Sequence, residues 1–238
     1  MRINILQDHP LFLNLSPEQI HYLSEYYRFT EKKYHKNEYL LLEGEFVEYV
    51  GIIAKGTILM EKNDISGNQY FFTELREHEI FAEPFIDHSV RTSFVNYKAI
   101  TNCTIYLFHY TDLWKRLNQP DLAHIIFTEN LFCLLARKTR GLLLKMELLS
   151  KKTIRERILT LLFMLKSNPD LLGFSKPSEQ TLTLKDYSSD TLIAVPLNRT
   201  ELAEYLCVNR SALVRELSHM KNEKLLDYED YIYHLSPS

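Results

Sequence analysis

The chain has 238 residues, 45% of them hydrophobic, and a formal net charge of −3 at pH 7. This length suits one large domain or two modest ones, and the charge excludes a chain that is polybasic throughout. The three cysteines Cys103, Cys133 and Cys207 lie far apart. Their spacing argues against a disulfide framework, a zinc site and an iron–sulfur cluster. The N-terminus lacks the apolar core of a signal peptide, and no apolar run is long enough to span a membrane. The sequence therefore predicts a cytoplasmic protein with no membrane partner.

The chain up to about Phe108 is predicted to form a helix and then a β-barrel or jelly roll. Ser16 is a predicted helix cap with Pro17 in the first turn, and this helix is expected to reach about Tyr26. Short apolar or alternating runs, separated by turn residues, then predict strands. These strands are 39–42, 49–54, 57–60, 69–73, 93–97 and 103–108. Many short strands at such spacing are typical of a barrel or jelly roll.

A short helix is predicted from Asp112, and a long one from Pro120 to about Ser150. Along the long helix, two series of mostly apolar residues recur every seven positions and lie three residues apart, as at positions a and d of a coiled coil. The series are Ile125, Phe132, Thr139 and Met146, and Thr128, Leu135, Leu142 and Leu149. The alternative interpretation of this pattern is a helix packed on the barrel of its own chain, which also needs an apolar stripe. We favour a dimer interface formed by Phe132, Leu135, Thr139, Leu142, Met146 and Leu149.

Thr153 is predicted to open a further helix. The stretch from Arg137 to Arg157 is rich in Lys and Arg and holds only two acidic residues, Glu147 and Glu156. Two interpretations of this basic run stay open. It is either a solvated helix face or a positive shoulder close to DNA phosphates.

Residues 195–217 predict two short helices joined by a tight turn. Asn198 with Glu201 is a helix-start signal, and Asn209 can cap the second helix. The buried stripe of the second helix is predicted to contain Leu213, Leu217 and Met220, whereas Arg210, Ser211 and Arg215 lie off it. This is the spacing of a helix-turn-helix, whose second helix can enter a DNA major groove.

Hairpin strands are predicted next to this motif. Residues 225–228 and 231–235 flank Glu229 and Asp230, and the resulting hairpin is expected to be the wing of a winged helix-turn-helix. A second hairpin from residues 181–184 and 192–195 is predicted before the motif. The structural alternative for the whole stretch is an ordinary pair of packed helices.

The order of these parts resembles the Crp/Fnr family of bacterial transcription regulators. The match includes residues 10–16, the glycines Gly44, Gly56 and Gly67 in barrel turns, and the recognition-helix pattern of residues 209–215. The resemblance implies an α+β protein with a cyclic-nucleotide-binding-domain-like β-roll over residues 1–119, a dimerisation helix over 120–150 and a winged helix-turn-helix over 151–238. It also implies a homodimer that binds a two-fold symmetric operator and contacts RNA polymerase.

The departures from the family concern the effector. Cyclic-nucleotide binders carry Gly-Glu followed by Arg-Ser-Ala, whereas this chain has Ala82-Glu83-Pro84 and then Arg91-Thr92-Ser93. Glu83, Arg91 and Thr92 are the candidate effector residues, and an internal Glu83–Arg91 ion pair is the structural alternative. Leu142 and Leu143 stand where binders place polar contacts to the base. We therefore expect that cyclic AMP is not the ligand, and that the effector is another small molecule or that none exists.

No metal or other cofactor is expected. The N-terminal cysteines of the family's iron–sulfur sensors are missing, and the His-x-His spacing of a cupin enzyme is absent from the acidic, His-rich stretch around His78 and His88. Cys207 stands where the family usually has Gly. Because Cys tolerates a positive φ poorly, we expect a slightly reshaped turn. A redox-sensing thiol there is the weaker alternative to a small, half-buried residue.

The expected partner is double-stranded DNA. Arg210 and Arg215 would contact base edges, most plausibly guanine O6 and N7, together with Ser211. Phosphates would be contacted by residues at helix N-termini and one further lysine, namely Asn198, Arg199, Thr200, Asn209 and Lys221. Two recognition helices would lie about 34 Å apart in a dimer. The prediction is a regulator and not an enzyme. The alternatives are a constitutively competent, ligand-free regulator and a ligand-binding protein or metal enzyme in which the helix-turn-helix is structural.

Overall fold

The computed structural model describes residues 7–63, 66, 69–86, 91–116, 120–168 and 192–235. The chain divides into two compact units, residues 1–134 and 135–238, and the longest helix contributes residues to both. The helices are α1 (Pro17–Tyr26), α2 (Thr111–Arg116), α3 (Leu122–Ser150), α4 (Ile154–Ser167), α5 (Arg199–Tyr205) and α6 (Arg210–Asn222). The strands of the first unit are β1 (Thr30–Tyr34), β2 (Tyr39–Leu41), β3 (Tyr49–Lys55), β4 (Ile58–Asn63), β5 (Gln69–Leu75), β6 (Ile80–Phe81), β7 (Asn96–Ala99) and β8 (Cys103–His109). Those of the second unit are β9 (Leu192–Ala194), β10 (Leu226–Glu229) and β11 (Ile232–Leu235).

The first unit is built on two antiparallel sheets, with strand orders β1-β8-β3-β6 and β2-β7-β4-β5. Apolar side chains of both sheets form one buried cluster that includes Ile53, Phe81, Tyr97, Ile105 and Leu107. Two sheets that share a core in this way form the jelly-roll architecture that the strand pattern predicts. The α+β fold class predicted from the sequence is confirmed.

Three strands of the first unit differ from the prediction. β1 was not predicted, because its sequence Thr-Glu-Lys-Lys-Tyr is polar and all but its last residue are exposed at a sheet edge. β6 was not predicted because it is only two residues long. β7 begins at Asn96, three residues later than predicted, since the Ser93 hydroxyl donates to the Val95 carbonyl oxygen at 2.6 Å and holds a bend there.

The helix starts follow the predicted capping signals. At α1, the Ser16 hydroxyl accepts from the Gln19 amide at 3.3 Å, and the Gln19 side chain accepts from the Ser16 amide at 2.8 Å. At α4, Thr153 and Glu156 form the same reciprocal pair, at 3.1 and 3.0 Å. Each box satisfies two backbone donors that the first turn of a helix would otherwise leave unpaired.

The helix α3 has a buried side and an exposed apolar side. Its buried residues are Ala123, His124, Phe127, Leu131, Leu134 and Leu148. Its exposed apolar residues include Phe132, Leu142 and Met146, which are exposed by 68%, 65% and 66%. Of the predicted a/d series, Ile125, Thr139 and Leu149 are also exposed, and Thr128 and Leu135 are half-buried. A stripe packed within the chain and a separate stripe available to a partner therefore coexist on this helix.

The second unit packs α4, α5 and α6 against an antiparallel sheet of strand order β10-β11-β9. The buried stripe of α6 consists of Leu213, Leu217 and Met220, as predicted. The hairpin predicted after this helix is formed by β10 and β11, with Leu226 opposite Leu235. β9 pairs with β11, and the strand predicted at residues 181–184 lies outside the described residues.

Candidate nucleic-acid interface

Asparagine side chains start both helices of the α5–α6 pair. The Asn198 Oδ1 atom accepts from the backbone amides of Thr200 and Glu201 at 2.9 and 3.0 Å, and Glu201 Oε2 accepts from the Asn198 amide at 2.8 Å. Asn209 Oδ1 accepts from the Ser211 amide at 2.9 Å. These caps fix where each helix begins, and a helix N-terminus is a position at which an anion is favoured.

The turn between α5 and α6 is a Schellman turn. The Val208 amide donates to the Ala203 carbonyl at 2.9 Å, and the Cys207 amide donates to the Glu204 carbonyl at 3.0 Å. Cys207 has φ = +51°, in the left-handed region that favours glycine. The expected reshaping of this turn is wrong, because Cys207 adopts the positive φ itself. Its side chain is exposed rather than half-buried.

Ser211 and Arg215 lie on the face of α6 opposite its buried stripe, Arg210 is the first residue of the helix, and all three are exposed. In the described part of the chain, neither arginine forms an ion pair, and Arg215 Nε donates only to the Ser211 carbonyl oxygen, at 3.4 Å. At 100° per residue, Ser211 and Arg215 lie about 40° apart on the helix surface. The two guanidinium groups are therefore available to an external acceptor.

The Ser211 hydroxyl already has a partner. Its Oγ atom donates to Asn209 Oδ1 at 2.6 Å. In this rotamer the hydroxyl oxygen can accept a hydrogen bond from a ligand, but its proton is not available. Direct contact of Ser211 with a base acceptor would require the hydroxyl to leave the cap.

One arginine of α4 binds two carboxylates, those of Glu216 in α6 and of Glu223 directly after it. Arg155 Nε donates to Glu216 at 2.6 Å, and its two terminal nitrogens donate to both oxygens of Glu223 at 2.7 and 2.9 Å. The hydrogen bond from Arg155 holds the pKa of Glu223 below its usual range. A free carboxylate beside Arg215 would repel phosphate, and the Arg155 guanidinium offsets part of this negative charge.

Arg199 and Lys221 have partners in the three-stranded sheet. The Arg199 guanidinium donates to the Tyr233 hydroxyl and lies 4.7 Å from the Tyr228 ring centroid. Lys221 forms an ion pair with Asp227, and its Nζ atom lies 5.5 Å from the centroid of the Tyr228 ring. Asp227 raises the pKa of Lys221. These two predicted phosphate contacts thus tie α5 and α6 to the β10–β11 hairpin.

The basic run before the motif fits neither of its two interpretations as a whole. Arg155, Arg157 and Lys145 donate to groups of the second unit itself, respectively to α6, to the turn and to α5. These roles were not predicted from the sequence. Each contact joins residues 49 to 68 positions apart in the chain, and no local pattern signals such a pairing.

The candidate effector residues lie in the first unit. Ala82 has φ = +63°, in the left-handed region that favours glycine, so the alanine at this position carries backbone strain. Glu83 is buried at the start of a short 3-10 helix that contains Pro84. Arg91 and Thr92 are exposed, and Thr92 pairs with Phe46 in an isolated β-bridge. The Glu83–Arg91 ion pair stays a prediction, and His88 lies outside the described residues.

An internal tyrosine lies beside this segment. Tyr97 is 2% exposed, and its ring centroid is 5.2 Å from that of Phe81. Burial, with a smaller contribution from the Glu83 charge, raises the pKa of Tyr97. Phe81, Ala82, Phe85 and Tyr97 all belong to the core cluster of the first unit. The cassette segment is therefore packed against the chain's own aromatic side chains.

The ranges that the structure describes contain no group of three or more His, Cys, Asp or Glu side chains placed to hold a metal ion. Among the helices in those ranges, none combines the length and the apolar character needed to cross a membrane.

Residues 31–119 match the family model of the cyclic nucleotide-binding domain. The chain is 27% identical over 151 residues to the cyclic AMP receptor protein of Thermus thermophilus, a match that spans 63% of this chain and 66% of that relative. The crystal structure of the Thermus thermophilus catabolite activator protein matches 95% of this chain and 93% of its own, with 19% identity and a TM-score of 0.50. FixK2 from Bradyrhizobium japonicum matches 88% of this chain and 93% of its own, with 20% identity and a TM-score of 0.48.

These matches and the fold define a protein with an N-terminal jelly roll of the cyclic-nucleotide-binding type, a long helix and further helices after it. Residues 31–119 are therefore a cyclic nucleotide-binding domain, and the chain is similar to transcription regulators of the Crp/Fnr type. The resemblance inferred from the order of the sequence motifs is thereby confirmed.

Proposed function

We propose that this protein is a sequence-specific DNA-binding transcription regulator, and not an enzyme, that acts as a homodimer on a two-fold symmetric operator. The observation that carries the proposal is on α6, where Arg210 at the first turn and Arg215 on the outer face are exposed and have no ion-pair partner in the described chain, while Leu213, Leu217 and Met220 are buried. A helix that is anchored by one apolar stripe and presents exposed guanidinium groups off that stripe fits the major groove.

Arg210 and Arg215 are the proposed base-contacting residues, each by a bidentate hydrogen bond to guanine O6 and N7. Ser211 is proposed to accept a hydrogen bond in the same groove. Asn198, Thr200 and Asn209 lie at the N-termini of α5 and α6 and would bind phosphates there. Arg199 and Lys221 are proposed to contact phosphates from the side of the hairpin, where their partners Tyr228 and Asp227 hold them.

The proposed dimer forms through the exposed apolar stripe of α3. Phe132, Thr139, Leu142, Met146 and Leu149 are exposed, and Leu135 is half-buried. Seven-residue spacing of such residues supports a parallel pair of helices, one from each copy. Two copies related by a two-fold axis match a palindromic operator with half-sites about one helical turn apart. Contact with RNA polymerase is part of the same proposal and rests on the resemblance to the Crp/Fnr family.

We propose further that cyclic AMP is not the effector. Support comes from the Ala82 and Pro84 replacements, from the packing of Tyr97 beside Glu83, and from Leu142 and Leu143 at the positions of polar base contacts. A second candidate follows from the same observations. The regulator is then competent for DNA without any ligand, and the jelly roll serves as a structural domain.

The test of DNA recognition is a mobility-shift assay with the promoter region of the protein's own gene. Arg210→Ala and Arg215→Ala should each weaken binding by about 5-fold to 150-fold, since a bidentate contact contributes about 1–3 kcal/mol of discrimination. Arg76→Ala removes an exposed arginine of the first unit and is the matched control. If both α6 variants bind as tightly as the control, the assignment of α6 as the recognition helix is wrong.

A further inference from the structure

We propose that Lys145 and Arg157 form a turn clamp, two positioning residues that hold the turn between α5 and α6 in the conformation required for DNA binding. The proposal rests on the proposed function, because the turn matters only if α6 is the recognition helix. The clamp consists of these two side chains and the carbonyl groups that they bind.

The carbonyl groups at the end of α5 show why a clamp is needed. Backbone amides of the Schellman turn and of the helix itself satisfy the carbonyls of Leu202, Ala203 and Glu204. The next three carbonyls receive their hydrogen bonds from cationic side chains. Lys145 Nζ donates to the Tyr205 carbonyl, and Arg157 donates to the carbonyls of Leu206 at 2.9 Å and Cys207 at 3.5 Å. Positive charge at a helix C-terminus is also favoured by the helix dipole.

The two side chains connect the turn to the end of the long helix. Arg157 Nε donates to the Lys151 carbonyl at 3.1 Å, directly after α3, while its other nitrogen binds the turn. Lys145 lies within α3, and its Nζ atom is 4.3 Å from the Tyr205 ring centroid. The guanidinium and the ammonium group therefore fix the α5–α6 turn to the segment that leads from α3 into α4.

The hydrogen bonds from Lys145 and Arg157 are needed because the turn is strained. Cys207 is held at φ = +51°, a conformation that a glycine adopts readily and a cysteine does not. Without the clamp, the chain can relax to a conformation with negative φ at Cys207, which would change the direction in which α6 leaves the turn. Both side chains are half-buried, and burial lowers the pKa of Lys145. This placement suits a structural contact better than a phosphate contact at the surface.

The test compares Lys145→Met and Arg157→Met with the control Lys166→Met. Each variant removes one positive charge and keeps an unbranched side chain, and Lys166 is exposed near the end of α4. The probe is a duplex that the wild-type protein enriches from a randomised pool. We expect each clamp variant to lose about tenfold in affinity, a typical effect for a lost helix-end contact, while the control retains the wild-type affinity.

Two readouts separate positioning from direct phosphate contact. The Cys207→Gly substitution relieves the strain, so adding it to either clamp variant should restore affinity to within about twofold of wild type. The slope of log affinity against log salt should stay unchanged, whereas loss of a phosphate contact would reduce it by about 1. Failure of Cys207→Gly to restore binding, or a reduced slope, would overturn the clamp.

Amide hydrogen exchange tests the clamp without DNA. The amides of Cys207 and Val208 are hydrogen-bonded in the turn, so they should exchange faster in the clamp variants and recover protection when Cys207→Gly is added. Unchanged exchange of both amides would refute the proposal. If the wild-type protein enriches no duplex at all, the proposed function fails, and the exchange measurement still decides whether the clamp exists.

Discussion

Phe132 offers the sharpest test of the proposed dimer, because it is the most exposed aromatic residue of the α3 stripe. Its side chain is 68% exposed in the single chain. Substitution by alanine therefore removes little packing within one protomer. In a dimer that uses this stripe, the same substitution removes an apolar contact from both copies at once.

The expected loss of dimer stability follows from the exposed fraction of the Phe132 side chain. Complete burial of a Phe side chain stabilises by about 2.5 kcal/mol, so burial of the exposed 68% contributes about 1.7 kcal/mol per protomer and about 3.4 kcal/mol per dimer. The methyl group of alanine retains part of this, which leaves a loss of about 3 kcal/mol. Since about 1.4 kcal/mol corresponds to a factor of ten, Phe132→Ala should raise the dimer dissociation constant by about 100-fold.

Sedimentation equilibrium over a concentration series measures this change directly. The matched control is Phe163→Ala, which truncates a phenylalanine of α4 that is 55% exposed and lies outside the α3 stripe. Circular dichroism of both variants checks that the fold is retained. A wild-type protein that stays monomeric at every concentration, or equal effects of the two substitutions, would refute the proposed interface.

Three further predictions concern the first unit. Cyclic AMP should leave the Tm of the wild-type protein unchanged, since only a ligand that binds the native state raises it, and a rise of several degrees would contradict the proposed loss of cyclic AMP binding. Gly51→Ala would place a Cβ 2.0 Å from the Phe81 ring and should lower the free energy of unfolding by about 1–3 kcal/mol in urea titrations, with partial recovery when Phe81→Leu is added; a neutral effect would contradict this packing. Burial acts to raise the pKa of Asp112, but hydrogen bonds from Lys115 at 2.7 Å and Arg28 at 2.6 Å together lower it below its usual value. The ionised Asp112 carboxylate therefore stabilises the folded chain above its unfolded pKa of about 4, and this stabilisation is lost as the pH falls through its folded pKa. The difference in unfolding free energy between wild type and Asp112→Asn should accordingly shrink between about pH 7 and pH 3. A difference independent of pH would contradict the ion-pair assignment.

The parts of the second unit that the sequence predicted are those encoded by local spacing. Asn198 with Glu201, and Asn209 ahead of an apolar stripe, are signals that a few neighbouring residues determine. The structure places both caps and the stripe of Leu213, Leu217 and Met220 as predicted. The start of α4 at Thr153 follows the same principle.

Features that depend on distant residues were not predictable in this way. Arg199 was expected to be a phosphate contact, and its stacking on Tyr228 became visible only when the hairpin was brought beside α5. The ion pairs of Arg155 and the hydrogen bonds of Arg157 likewise join α4 to residues about 50 to 70 positions later. A polar edge strand such as β1 has no apolar period, because neither of its faces is well buried.

The positive φ of Cys207 illustrates the limit of residue preference. The sequence-based expectation weighed only the intrinsic cost of a left-handed backbone at a residue with a Cβ atom. Three groups outweigh that cost in the folded chain, namely the two amide hydrogen bonds of the Schellman turn and the Arg157 guanidinium on the turn carbonyls. Hydrogen bonds of the turn and one tertiary contact therefore accompany a backbone angle that the residue type disfavours.

Selection of duplexes from a randomised pool, followed by sequencing, tests the central claim most directly. For the wild-type protein we expect an enriched motif with two inverted half-sites about 10 base pairs apart, each containing a guanine whose identity becomes irrelevant in Arg215→Ala or Arg210→Ala. No enrichment, a motif without two-fold symmetry, or an unchanged motif in both arginine variants would contradict the account of α6 as the recognition helix of a dimer.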